Sequence, residues 1–304
     1  MAKSVYGLDF ANTKCSYLNI IRSGVTTMAK AKEGNVVAKH VSLVYDPLGV
    51  NVLAVADCSF EIEAGAFMAI VGPSGCGKTT LLNMIAGFES PTEGEIWVDG
   101  VCIASPTIHL TPGPDRVVVF QHGALFPWRT VLENVCWGPM MQGTMSSKEA
   151  IEKGREILRV AGLETCENEY PMNISSGMQR RVEIVRALVN EPKILLLDEP
   201  FRALDAMTKS VMHQYLLNLF DMTGKTIMFI THDLDEAIFL ADRVFVMTTR
   251  PGRLKQMIEV DLPRPRNLKT KVTDRFIELR NQALGAVHEE ARKAFERGER
   301  EMAK

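Results

Sequence analysis

One eight-residue run, Gly72-Pro73-Ser74-Gly75-Cys76-Gly77-Lys78-Thr79, satisfies the pattern G-x-x-x-x-G-K-S/T at every position. It limits the fold because such a run works only between two particular elements. The glycines let the backbone curl until successive N–H groups point inward, making a concave anion site. A helix directly behind the run adds the positive end of its dipole. Phe67-Met68-Ala69-Ile70-Val71 is an uninterrupted apolar run, as expected of a strand buried on both faces, and Thr79 to Ala86 has the pattern of a helix. The stretch 72–80, with Thr80 in the first turn of that helix, is therefore expected to grip phosphate. Lys78 supplies charge at the outer phosphates and the Thr79 hydroxyl is a ligand for Mg²⁺.

The rest of the chain builds a sheet around this unit. Val41-Ser42-Leu43-Val44-Tyr45 and Val52 to Glu63 read as strands split by a turn at Asp46-Pro47-Leu48-Gly49. Glu95-Ile96-Trp97-Val98 and Val101-Cys102-Ile103 flank Asp99-Gly100, the strongest short hairpin signal. Short strands follow at Val117 to Phe120, Lys193 to Leu197, Lys225 to Ile230 and Arg243 to Met247. Helical patterns dominate from Val131 to about Leu188. In Ser147 to Ala161 the stripe is Ile151, Ile157, Leu158 and Ala161. Thr270 to about Arg297 reads as one amphipathic helix with Val272, Phe276, Leu279, Ala283 and Val287 on a face. The expected fold is α/β: a P-loop core with a mostly parallel sheet, an N-terminal antiparallel β-subdomain and a helical subdomain over about 125–188. Expected boundaries are 1–34 for an extension that lacks packing partners, 35–266 for the nucleotide domain and 267–304 for the closing helix.

Bulk composition removes several alternatives. Charged residues make up 24% of the chain and the formal net charge is −2, without the basic footprint of a nucleic-acid binder. No stretch of about 18 apolar residues is present, so no membrane-spanning helix is expected. The six cysteines, Cys15, Cys58, Cys76, Cys102, Cys136 and Cys166, include no C-x-x-C pair, which favours reduced thiols over a disulfide frame or zinc site.

A second phosphate-site element lies far downstream. Ile194-Leu195-Leu196-Leu197-Asp198-Glu199 is an apolar strand ending in two acids. Buried strands deliver such residues to their carboxyl ends, where ligands of open sheets collect. There Asp198 can hold Mg²⁺, usually through water, and Glu199 can polarise an attacking water.

Between these elements stands Asn173-Ile174-Ser175-Ser176-Gly177-Met178-Gln179-Arg180-Arg181-Val182. With the helix that follows, it resembles the L-S-G-G-Q signature of the ATP-binding subunits of ABC transporters. Further segments resemble that family in its own order: Gln121-His122-Gly123 as the Q-loop, Phe201-Arg202-Ala203-Leu204-Asp205 as the D-loop, and Thr231-His232-Asp233 as the switch-histidine segment. The resemblance covers about 36–266. It implies ATP and Mg²⁺ as ligands and a homodimer, or a pseudo-dimer with a related ATPase, that closes head to tail over two ATP molecules. Each ATP is then held by 72–80 of one chain and by Ser175, Ser176, Gly177 and Met178 of the other. Tyr45 stacks on adenine, Thr79, Gln121 and Asp198 share the Mg²⁺, Glu199 and His232 are the catalytic pair, and Asp205 belongs to the D-loop. Two positions depart from the family pattern. Ser176 replaces a glycine, which would cost about 1 kcal/mol if a left-handed backbone were needed there. Arg202 replaces a small residue.

Leu125-Phe126-Pro127-Trp128, Arg250-Pro251-Gly252-Arg253 and Asp261-Leu262-Pro263-Arg264-Pro265-Arg266 are similar to segments of the importers for nitrate, sulfonate and taurine. The implied function is an ATPase subunit powering uptake of a small anionic solute. It would sit peripherally on the cytoplasmic face of the cell membrane, with permease subunits and, indirectly, an extracytoplasmic solute-binding protein as partners. The surface around Gln121 to Trp128, with its apolar Leu125, Phe126, Pro127 and Trp128, is the expected permease contact, with a buried core turn as the plain alternative. Other readings are an ABC ATPase of a different transport system or a regulatory one with weak turnover. A chromosome or repair ATPase would need a long coiled coil, and an ABC translation factor two nucleotide domains; neither is legible here. Met28-Ala29-Lys30 repeats Met1-Ala2-Lys3, so Met28 is a second candidate start, and the preceding residues are expected to be dispensable for catalysis.

Overall fold

The computed structural model describes residues 32–46, 49 and 51–296. The expected extension, apart from its last residues, and the candidate start at Met28 lie outside the described residues. So do Pro47, Leu48 and the last residues of the closing helix. The chain divides into two compact units: Gly123–Glu191, and Glu33–His122 together with the chain from Pro192 onward.

The larger unit holds two sheets. The first is antiparallel, built from β1 (Val36–Tyr45), β2 (Val52–Ile62), β4 (Glu93–Val98) and β5 (Val101–Ala104) in the order β2-β1-β4-β5. Its β4–β5 hairpin turns on Asp99 and Gly100, both with positive φ (49° and 77°), the backbone that a tight hairpin demands. The second sheet contains β3 (Phe67–Val71), β6 (Arg116–Val119), β7 (Ile194–Asp198), β8 (Thr226–Ile230), β9 (Arg243–Met247) and β10 (Leu254–Glu259), in the order β10-β9-β3-β8-β7-β6. All its pairs are parallel except β10–β9. β3, β7 and β8 are buried at every residue, which explains why they read as continuous apolar runs.

The register of these three strands builds the site. Ile70 lies opposite Ile230, and Asp198 opposite the same Ile230. The ladder continues past the strands: Thr231 N–H donates to Ile70 O (3.2 Å) and Glu199 N–H to Ile230 O (2.9 Å). The chain therefore leaves all three strands at one sheet edge. Behind the loop, α1 (Lys78–Ala86) buries Leu81, Leu82, Met84 and Ile85 in a core with Met68, Ile70, Leu196, Met228 and Phe245. Each such side chain contributes about 1.5–3 kcal/mol by burial, and together they hold the loop against the sheet.

Two expectations need correction. β10 was not foreseen as a strand, because Leu254-Lys255-Gln256-Met257 is half-buried throughout and shows no clear alternation. The closing helix is not continuous from Thr270: a 3₁₀ turn spans Leu268–Val272 and a longer helix begins at Asp274. Thr273 separates them with extended backbone, and its hydroxyl accepts from Phe276 N–H (3.3 Å), so it acts as the cap. Val272 is consequently 76% exposed, and the buried face is Phe276, Leu279, Ala283, Ala286 and Glu290.

The smaller unit is helical: α2 (Val131–Gln142), α3 (Ser147–Val160) and α4 (Ser176–Leu188). Capping boxes at Thr130/Glu133 and Ser146/Glu149 start the first two. The buried stripe of α3 is Ala150, Gly154 and Leu158, with Ile151 and Ile157 only half-buried. Gly154 explains the shift. A Cβ there would lie 2.6 Å from Cys136 Sγ, so this face lets α2 approach closely.

Candidate functional site

Residues 72–79 run from the end of β3 into α1, as the motif requires. Gly77 sits at the helix start with φ 93°, and a Cβ on it would stand 2.9 Å from both Ala54 O and Val55 Cγ2. Only glycine fits, for backbone and steric reasons together. α1 has no side-chain cap and no acid in its first turn, so its leading N–H groups remain for an anion. Lys78 is buried, and its Nζ donates to Gly72 O (2.9 Å) and Pro73 O (3.0 Å), which holds the ammonium along the loop. Burial pushes the Cys76 thiol up, with Lys78 opposing, so Cys76 is a neutral packing group. Ser74 and Gly75 form the exposed crest of the loop, and Thr80 is half-buried beside Tyr45.

The acidic end of β7 meets this loop. Thr79 Oγ1 donates to Asp198 Oδ2 at 3.0 Å. Burial pushes the Asp198 carboxyl above its ordinary range, the Thr79 hydrogen bond opposes this, and the neighbouring Glu199 charge adds to it. Glu199 has φ 41°, a left-handed backbone that costs a residue with a side chain about 1–2 kcal/mol. That turn aims its carboxylate where three nitrogen-bearing side chains converge. Its Oε2 lies 3.2 Å from Gln121 Nε2, 3.3 Å from an Arg202 guanidinium nitrogen and 3.4 Å from His232 Nδ1.

The donor set suits a hard cation. Thr79 and Asp198 place a hydroxyl and a desolvated carboxylate side by side, and Gln121 brings a side-chain amide whose nitrogen faces Glu199. Among the described residues no group of three His, Cys, Asp or Glu side chains forms a self-sufficient metal cage. That pattern fits Mg²⁺, which commonly takes one carboxylate and completes its shell with water and phosphate oxygens.

The other expected residues divide between the two units. Tyr45 ends β1 half-buried, its hydroxyl pushed up by burial while Thr80 opposes and Glu89 adds to the shift. Asp205 is the N-cap of α5 (Ala206–Thr223), accepting from Met207 and Thr208 N–H at 3.0 Å each. His232 is half-exposed at the end of β8. Ser175, Ser176, Gly177 and Met178 belong to the smaller unit, where Ser175 caps α4 through Met178 N–H (3.3 Å). Ser176 is the first helical residue and is not among the positive-φ residues, so the left-handed cost weighed for it does not arise. The turn at Phe126 is tied by buried Asn134, which accepts from Phe126 N–H (2.8 Å) and donates to Phe126 O (3.1 Å). Phe126 is half-buried but Trp128 is 70% exposed, so this is not a buried core turn.

Sequence reasoning missed two neighbours of the site. Arg202 was noted only as a departure, yet it reaches Glu199, three residues away. Arg250, noted only as part of Arg-Pro-Gly-Arg, lays its guanidinium against Gly75, 3.3 Å from where a Cβ would stand. No local pattern joins Arg250 to Gly75, which lie far apart in sequence.

A mostly parallel sheet whose strand β3 feeds a phosphate loop, and whose next strand but one, β7, ends in paired acids beside that loop, defines a P-loop nucleotide hydrolase. Comparison with known proteins narrows the class. The ABC transporter family matches residues 55–202. An uncharacterised ABC transporter ATP-binding protein of Methanocaldococcus jannaschii is 42% identical over 84% of this chain and 92% of its own length. The nitrate import ATP-binding protein NrtD of a Synechocystis is 45% identical, covering 70% and 77%. The aliphatic sulfonates import ATP-binding protein SsuB of Bacillus cereus is 40% identical, covering 82% and 90%. A solved dimeric ATP-binding cassette with ADP and phosphate bound superimposes with a TM-score of 0.64 at 33% identity, over 74% of this chain and 98% of that one. The chain belongs to the ATP-binding subunits of ABC transporters, as its motifs imply, and is an ATPase that serves transport. Among the described residues no helix is long and apolar enough to cross a membrane.

Proposed function

We propose that the chain hydrolyses MgATP to power import of a small anionic solute of the nitrate, sulfonate or taurine type. The observation that carries the catalytic part is the convergence of Gln121, Arg202 and His232 on Glu199 Oε2, beside the Thr79–Asp198 pair. In this reading the loop amides and Lys78 hold the β- and γ-phosphates of ATP, and Tyr45 stacks on the adenine. Thr79, Asp198 and Gln121 would hold Mg²⁺, which would supply charge neutralisation at the phosphate oxygens. Glu199 accepts a hydrogen bond from a water and orients it in line with the γ-phosphorus. The water oxygen bonds to phosphorus as the bond to the β-bridging oxygen breaks, and Glu199 or a phosphate oxygen receives the proton. His232 contacts the γ-phosphate. Ser175, Ser176, Gly177 and Met178 of a second copy complete each site, and Asp205 helps form that interface. The exposed Trp128 with Phe126 gives a permease an aromatic contact, which would hold the subunit at the cytoplasmic face of the membrane. The importer assignment draws on the NrtD and SsuB relatives.

The test is reconstitution in liposomes with a permease that co-purifies with the chain and with the solute-binding protein of that permease. ATP turnover is followed as nitrate, an alkanesulfonate or taurine is supplied. Stimulation by one of them supports the reading; stimulation by a neutral sugar or a peptide alone would overturn the solute class.

A further inference from the structure

The turn that carries His232 is held from below by a buried polar chain with no part in the chemistry above. Thr231, 2% exposed, donates its hydroxyl to Glu236 Oε2 at 2.6 Å and accepts Asp233 N–H at 3.0 Å. Its own N–H is fixed on Ile70 O. His232 therefore rides on a short arch whose two neighbours are pinned. Both pins lead to α6 (Leu234–Leu240), where Asp233 caps Asp235 and Glu236 N–H and Glu236 supplies the carboxylate. Glu236 is 3% exposed, and a buried carboxylate is costly unless donors surround it. Those donors come from α5: His213 Nε2 at 3.2 Å and Lys209 Nζ at 3.4 Å, both on Oε1. Burial alone would raise the Glu236 carboxyl, but the hydrogen bonds from His213 and Thr231 outweigh it and leave it below its ordinary range.

The His213 ring lies between Phe201 (centroids 5.5 Å) and Phe239 (6.1 Å), so it touches the segment after Glu199 and the helix after His232. Packing does not account for a histidine there. Its Nδ1 is buried with no hydrogen-bond partner among the described residues, a cost that an apolar side chain in the same aromatic slot would avoid. What the imidazole alone supplies is the hydrogen bond to Glu236.

We propose that His213 is a positioning residue for the hydrolysis reaction: through Glu236 and Thr231 it fixes the turn that presents the His232 imidazole beside Glu199. The proposal rests on the role given to His232 above. A misplacement of about 1 Å at a reacting group costs on the order of a hundredfold in rate, so a buried bond two contacts away has a measurable effect.

The experiment is steady-state ATP hydrolysis by the purified full chain, with melting temperature and nucleotide affinity measured in parallel. His213→Leu keeps the volume and removes the donor; kcat should fall about tenfold or more, with KM for ATP within about twofold of wild type. His213→Gln, which restores an N–H donor, should recover most of that kcat. Thr231→Val removes the hydroxyl that Glu236 holds, keeps the shape, and carries the test if His213→Leu does not fold. It should show the same loss of kcat at unchanged KM. His232→Ala separates the two readings. If it is inactive while folded His213→Leu or Thr231→Val turns over normally, the positioning role falls and the role of His232 stands. If His232→Ala itself turns over normally, both fall. Equal loss in His213→Leu and His213→Gln, tracking only melting temperature, would reduce the chain to a stability element and overturn the proposal.

Discussion

Replacing Gly77 by alanine tests whether the phosphate loop has the shape described. Two separable costs follow from the structure. Gly77 has φ 93°, where any residue with a Cβ loses about 1–2 kcal/mol. The added Cβ would also stand 2.9 Å from Ala54 O and from Val55 Cγ2, and forcing such contacts in a packed region costs about 1–3 kcal/mol. Together Gly77→Ala should lose about 2–5 kcal/mol. Gly100, at φ 77° in the β4–β5 hairpin with nothing within 4 Å of its would-be Cβ, isolates the first cost. Gly100→Ala should lose about 1–2 kcal/mol and leave nucleotide binding untouched. The assay is chemical denaturation of the nucleotide-free protein together with titration of a fluorescent ATP analogue. Gly77→Ala should be the less stable of the two and bind ATP at least tenfold more weakly, because its relief moves the amides that face the phosphates. Equal stability of the two variants with unchanged ATP affinity in Gly77→Ala would refute this account of the loop.

Three further outcomes are expected. Lys78→Ala removes a charge-assisted phosphate contact in a confined site, so ATP affinity should fall along with turnover; unchanged affinity by titration would contradict its placement. Asp198 has a folded-state pKa raised by burial, so its ionised form destabilises the fold at pH above that value, and the penalty fades as pH falls toward the unfolded value. Asp198→Asn should therefore melt higher than wild type at pH 7 without Mg²⁺, with the advantage shrinking on acidification; an advantage that grows on acidification would reverse the sign. Trp128→Asp should leave ATP hydrolysis by the isolated subunit intact while abolishing co-purification with the permease, and full retention of the complex would remove Trp128 from the contact.

What was legible in the sequence was local or strongly periodic. The loop at 72–79, the strands flanking it, the Asp99-Gly100 turn and the acid pair at 198–199 each declare themselves within a few residues. Capping did less well: Thr273 breaks the closing helix, and no amphipathic stripe reveals an interruption of one residue. Ser176 was judged against a glycine pattern, whereas the Ser175 cap starts a helix in which serine fits. Edge strand β10 escaped because its first four residues, Leu254 to Met257, are all half-buried and show no alternation. The contacts of Arg250 with Gly75 and of His213 with Glu236 were out of reach. They join positions far apart in sequence, and arginine or histidine on an element reads first as an ordinary surface or packing residue.

The central claim is that Glu199 activates the attacking water, and Glu199→Gln tests it most directly. The amide keeps the size of the side chain and loses the carboxylate on which Gln121, Arg202 and His232 converge. Phosphate release from MgATP by the purified variant, measured beside its ATP affinity, should fall by at least about a hundredfold while affinity is retained or rises. A variant that binds ATP and hydrolyses it at close to the wild-type rate would contradict the account.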